Sequence, residues 1–130
     1  MTSVEHDVSV VIPAYNCVDF LPAAIESAMG QTRPPAEIIV VDDGSTDETL
    51  AAARSYGSPV RVVDQENAGV SAARNRAIEL ARGDWIAFLD ADDVWRPTKL
   101  ERQLDAAGRH PDVVCVFSDF RSFGPDRDPR

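Results

Sequence analysis

The chain has 130 residues, 44% of them hydrophobic and 27% charged, with a formal net charge of −9. That composition describes one globular domain with a real core. The acidic balance argues against a broad nucleic-acid or anionic-membrane surface, yet leaves room for an anionic ligand held through a cation. No run approaches the roughly 20 continuous apolar residues of a membrane span.

No signal peptide is readable in "MTSVEHDVSVVIP". Cys17 and Cys115 lie far apart without metal-type spacing, so they read as reduced thiols of a cytoplasmic protein. Residues 1–7 are a short extension. "VSVVIP" (Val8 to Pro13) is a β-branched apolar run of the kind buried on both faces of a parallel sheet. "FLPAAIESAMGQ" places Leu21, Ile25, Ala28 and Met29 at helical spacing, with Gly30 as a stop. "EIIVVDD" (Glu37 to Asp43) is a second buried strand. "STDETLAAARSYG" opens as a capping box, Ser45 with Glu48, and closes on Gly57. "VRVVDQ" (Val60 to Gln65) is a third strand, "GVSAARNRAIELARG" a helix ending at Gly83, and "DWIAFLD" a fourth strand. "PTKLERQLDAAG" starts a helix with Pro97 in its first turn. "DVVCVFSDF" (Asp112 to Phe120) is a fifth strand, and 121–130 is a polar tail or linker.

This alternation predicts an α/β fold, a Rossmann-like, doubly wound, mostly parallel sheet spanning 8–120. Ligands of such sheets bind beyond the carboxyl ends of the strands. The residues that follow the strands should therefore converge: Pro13 to Asn16, Asp42 to Ser45, Glu66 to Gly69, and Asp90 to Asp93.

Each segment has an ordinary reading beside a functional one. Gly44, Ser45, Asp47 and Glu48 suit a turn and a helix start. Asp42 and Asp43 alternate sides, so one can bond local backbone while the other faces a ligand N–H. Asn16 is a turn residue, and Tyr15 is either core rim or a face for stacking a base. Arg74 is either a solvated helix residue or an anion contact one turn into a helix at the ligand end. Asp90 and Asp92, spaced i and i+2, point the same way if the chain stays extended. Two ionised carboxylates side by side need a cation or a proton between them, and hard oxygen donors select Mg²⁺ or Mn²⁺.

Other acidic motifs fit less well. An EF-hand loop begun at Asp90 reaches Glu101 at its twelfth position but puts Trp95 where glycine is required. "DADDV" also matches the D-x-D-x-[TV] signature of haloacid-dehalogenase-type phosphatases. That motif opens its fold, with a lysine and a second acidic pair far downstream, and no such set follows here.

Read in order, "VSVVIPAYNCVDFLPAAIESAMGQT", "EIIVVDDGSTDET", "NAGVSAARNRAIELARGDWIAFLDADDVW" and "KLERQLDAAGRHPDVVCVFSDF" resemble a family 2 glycosyltransferase, from about Val8 to Phe120. The resemblance implies the GT-A fold, truncated after the fifth strand, and a nucleotide-sugar site, with UDP-sugar the commonest donor. It implies Pro13, Ala14 and Tyr15 against the nucleobase, with Asp43 accepting from it. Asn67, Gly69 and Arg74 also contact the nucleotide, and Glu66 lies on the loop near the ribose. Asp90-Ala91-Asp92 is similar to the family's D-x-D motif. Asp92 is then the principal metal ligand, Asp90 contributes, and Asp93 is a further candidate because the extra Asp makes the register ambiguous. The cofactor is Mn²⁺ or Mg²⁺, and the reaction is inverting transfer to an acceptor hydroxyl. The catalytic base and acceptor half belong to a segment after Phe120. In the family a later antiparallel strand enters between the fourth and fifth strands. Without it, sheet edges are left unpaired, which invites self-association. A membrane attachment, at the cytoplasmic face, would lie in such a later segment.

Overall fold

The computed structural model describes residues 7–123. The predicted extension and tail lie outside the described residues, apart from Asp7 and residues 121–123. Four parallel strands form one sheet in the order β3-β2-β1-β4: β1 (Val8–Ala14), β2 (Glu37–Asp42), β3 (Val60–Asp64) and β4 (Trp85–Phe88). The two most β-branched runs take the centre. Val10 pairs with Ile38 on one side and Ala87 on the other. Val10, Val11, Ile12 and Ile38 to Val41 are 0% exposed, as strands covered on both faces require.

Helices cover both faces. Successive β1 and β2 side chains alternate between them, so Val10, Ile12, Ile38 and Val40 meet α1 (Leu21–Met29), through Leu21, Ala24, Ile25 and Ala28. Ala53 of α2 (Thr49–Arg54) and Leu100 of α4 (Lys99–Arg109) join that cluster. Val11, Ile39 and Val41 pack on Ala73 and Ala77 of α3 (Val70–Leu80), on the opposite face. The doubly wound parallel architecture is the predicted one.

Three local expectations are corrected. The Ser45–Glu48 capping box does not form: α2 begins at Thr49, and Glu48 makes no side-chain cap. Tertiary partners compete for these groups. Ser45 Oγ accepts the Asn16 N–H at 3.0 Å, and Asp47 receives the Thr49 N–H and hydroxyl instead. Asp90 and Asp92 are not on an extended strand either. β4 ends at Phe88, and the Asp93 N–H bonds the Asp90 carbonyl at 3.0 Å, closing a turn.

The third correction is the fifth strand. Residues 114–123 are without regular secondary structure, and Val114, Phe117 and Phe120 are each 91% exposed. A strand needs a neighbour as well as a β-prone sequence. Among the described residues this segment has no strand partner, and β4 pairs only with β1. Gln103 Nε2 donates to Ser118 Oγ at 2.9 Å, which ties the segment back to α4.

Candidate functional site

The carboxyl ends of β1, β2 and β4 open onto two adjoining clefts. The larger, about 410 Å³, is lined by Pro13, Tyr15, Asn16, Cys17, Phe20, Val70, Arg74, Asp90, Ala91 and Asp92. The smaller, about 210 Å³, is lined by Pro13, Ala14, Tyr15, Asp43, Asn67, Gly69, Val70 and Ala73. They share the wall of Pro13, Tyr15 and Val70. Of the expected site residues, Pro13, Ala14, Tyr15, Asp43, Asn67, Gly69, Arg74, Asp90, Ala91 and Asp92 all come to these clefts. Glu66 is exposed and lines neither.

Asp43 is almost fully buried where β2 ends, and its carboxylate is crowded with donors. Oδ1 accepts from Gln65 Nε2 and the Ala68 N–H, each at 2.8 Å. Oδ2 accepts from the Gly69 N–H at 2.9 Å and from Asn67 Nδ2 at 3.3 Å. Burial alone would raise this group, but the bonds from Gln65, Ala68 and Gly69 outweigh it and hold the carboxyl below its ordinary value. Gly69 caps α3, so Asp43 also supplies the negative group that a helix N-terminus favours. A protein carboxylate thus takes part of the place foreseen for a ligand anion.

The turn after Asp43 is pressed against the same loop. Gly44 has φ +75°, and a Cβ there would meet the Asn67 backbone nitrogen at 2.8 Å. Asn16, with φ 44°, accepts the Thr46 N–H on Oδ1 at 2.8 Å. Its structural reading is the right one: it joins the end of β1 to the turn after β2. Asp42 turns the other way, as alternation predicts. One oxygen accepts the Ser45 N–H at 3.2 Å, and the buried Oδ1 has no partner among the described residues.

At the other end of the clefts, single carboxylate oxygens of Asp90, Asp92 and Asp93 lie within 4.8 Å of one another, all three residues exposed. Ionised carboxylates this close repel one another, and solvent exposure screens the repulsion. Asp93 registers this: partial burial, then the charges of Asp92 and Asp90, push its carboxyl above the ordinary value. Arg74 Nη2 offsets part of the charge by bonding Asp90 Oδ1 at 2.7 Å. The three offer hard oxygen donors close together, a set whose chemistry suits Mg²⁺ or Mn²⁺.

The segment after the triad is fixed from behind by residues to which the sequence assigns no site role. Buried Gln31, at the end of α1, donates to the Arg96 carbonyl at 2.7 Å and accepts the Leu100 N–H at 3.0 Å. Ser27 Oγ accepts the Trp95 N–H at 3.1 Å. Lys99 Nζ lies 4.7 Å from the Trp95 ring centroid and bonds Gln103. Glu101 accepts the Thr32 hydroxyl at 2.8 Å, a structural use of the residue that an EF-hand would have needed.

Sequence reasoning missed the apolar rim of Phe20 and Val70, both more than half exposed, and Cys17. Nothing in the sequence marked them, because their exposure beside the acidic turn is a product of the fold. Burial pushes the Cys17 thiol up, so a neutral thiol faces the cleft at neutral pH. Both cysteines are free. No helix among the described residues is long and apolar enough to cross a membrane.

Known proteins resemble this chain in sequence and in fold. A family model described as Glycosyl transferase family 2 matches residues 9–130. Chondroitin synthase of Escherichia coli is 38% identical over 118 residues, covering 88% of this chain and 17% of that protein. Hyaluronan synthase of Pasteurella multocida is 36% identical over 122 residues, covering 92% of this chain and 13% of that protein. Among solved structures, TarS 1–349 of S. aureus in complex with UDP-GlcNAc superposes with a TM-score of 0.74 at 29% identity, over 81% of this chain and 32% of that one. The chain spans less than half the length of the curated relatives it matches.

Proposed function

We propose, from the premise that this chain belongs to glycosyl transferase family 2, that it is the donor-binding part of an inverting glycosyltransferase. Its ligand is a nucleoside diphosphate sugar, with a UDP-sugar as the donor. The observation that carries this reading is the shared wall of the two clefts. Pro13, Tyr15 and Val70 join a base-sized recess ending at Asp43 to an open trough ending at Asp90, Ala91 and Asp92. TarS, similar in fold, has been solved with UDP and with UDP-GlcNAc.

In this reading Tyr15 offers a ring face to the base and Asp43 accepts its N–H. Asp92, with Asp90 and Asp93, would hold the Mn²⁺ or Mg²⁺. Once bound, the cation supplies charge neutralisation for the leaving nucleoside diphosphate. Arg74 lies within reach of Asp90 and adds a second positive group beside the trough. The cleft residues named here account for donor binding, and none of them is assigned the acceptor's proton.

Calorimetry with UDP, with and without Mn²⁺, tests this. A folded sample that binds UDP in neither condition would sink it. Asp92→Asn removes the Mn²⁺-dependent part of binding.

A second reading is favoured by the exposed segment carrying Val114, Phe117 and Phe120. Together with the edge of β4, which pairs with no second strand among the described residues, it supports self-association of the 130-residue chain by edge pairing. Sedimentation that stays monomeric over a wide concentration range excludes it.

A further inference from the structure

Gln65 belongs to none of the motifs above and lines neither cleft, yet its amide holds the carboxylate that the proposed reading turns toward the base. An ionised carboxylate offers about four lone-pair positions. The chain engages all of them on Asp43, but unequally. On Oδ1, Gln65 Nε2 and the Ala68 N–H both bond at 2.8 Å. On Oδ2, the Gly69 N–H bonds at 2.9 Å, whereas Asn67 Nδ2 stands at 3.3 Å. That same Asn67 amide makes a better bond, 2.9 Å, to the Asp43 backbone carbonyl. The position most readily surrendered is therefore on Oδ2, where the longer of the two bonds comes from Asn67; both Oδ2 donors, Asn67 and Gly69, line the cleft.

We propose that Gln65 is a positioning residue that sets base selectivity: by occupying Oδ1 from behind, it leaves Asp43 able to receive one ligand N–H and not two. The inference rests on the reading of the small cleft as the base site. An imide such as uracil presents one N–H between two carbonyl oxygens. Its N–H takes the Oδ2 position, and the Asn67 amide hydrogen released there donates to a flanking carbonyl. Guanine presents a ring N–H and an adjacent amino group. To satisfy both it must take both carboxylate oxygens, which displaces Gln65 or the Ala68 N–H from Oδ1 and leaves a part-buried donor unpaired. Sites built on hydrogen bonds discriminate strongly for this reason. Gly44 keeps the arrangement stiff, because the Asn67 backbone sits where a Cβ would be.

The test titrates the 130-residue chain and its Gln65→Met variant with UDP and with GDP at one Mn²⁺ concentration. The parent is expected to prefer UDP by roughly tenfold or more, the loss of about one hydrogen bond in affinity. Gln65→Met should bring the UDP-to-GDP ratio down several-fold, chiefly by improving GDP. A folded Gln65→Met chain with an unchanged ratio overturns the role of Gln65 and leaves UDP binding standing. A parent that binds no UDP overturns the base site itself, and the inference with it. Side-chain amide resonances decide the matter in the parent chain, even if the variant does not fold. On adding UDP, the Asn67 amide signals should move and the Gln65 signals should stay. Equal movement of both overturns the proposal.

Discussion

The two ends of the cleft are built differently. The base end sits where β1 and β2 finish, behind strands that are buried on both faces. There Asp43 is fixed by four donors, and Gly44 is locked against Asn67. The acidic end hangs from β4, an edge strand of four residues with one neighbour among the described residues. Its carboxylates are exposed and held by one backbone turn and one ion pair. The contrast matches the chemistry proposed for each end. Reading a base needs hydrogen-bond partners in fixed places, whereas a diphosphate and its cation bring charge enough to order a looser set of oxygens.

Substitutions can break or sharpen that contrast. The largest expected effect lies beneath the base end. Ile12→Ala empties a fully buried position of the central strand and should cost about 2 to 5 kcal/mol in urea unfolding. Gly44→Ala should cost about 1 to 3 kcal/mol, from its positive φ and the clash with Asn67. It should also weaken UDP binding measured without Mn²⁺. A Gly44→Ala chain of parental stability would show that the base end is not rigid.

At the acidic end the same scale shrinks. Arg74→Gln breaks a solvent-exposed pair with Asp90, so unfolding should change by less than about 1 kcal/mol, while UDP affinity in Mn²⁺ falls. A larger stability loss would mean that the pair holds the turn together.

The smallest effect is a matter of pH. The Asp93 carboxyl sits above its ordinary value, so the folded state holds its proton better than the unfolded chain. Its contribution is most favourable below the ordinary carboxylate value and is lost as pH rises through the raised one. Asp93→Asn should therefore be slightly more stable than the parent at neutral pH, with the gap closing on acidification. Asp43 runs the other way. Its lowered value gives stability that is present above the ordinary value and lost as pH falls through the lowered one. Denaturant midpoints for both chains between neutral and acid pH separate the two trends.

Much of this was legible in the sequence because it is local or periodic. Buried β-branched runs identified β1 and β2, and the residues after each strand converge as parallel topology demands. The errors came where distant partners decide. Ser45 was spent on Asn16 rather than on Glu48, because β1 delivers Asn16 beside the turn. Gln31 and Gln65 carried no signal, since a lone glutamine announces nothing until folding brings Arg96 or Asp43 to it.

The amino-acid order by itself determined the α/β alternation, the acidic and aromatic composition of the site, and membership in a family of transferases. Those properties reside in side-chain type and spacing. Tertiary structure alone decided that Asp43 is filled by its own loop, that Asp90 to Asp93 form a turn rather than a strand, and that the segment from Asp112 to Phe120 stays unpaired. The physical reason is common to all three. Hydrogen bonds and strand pairing are made between residues far apart in the chain, so their outcome depends on which partner arrives and not on propensity.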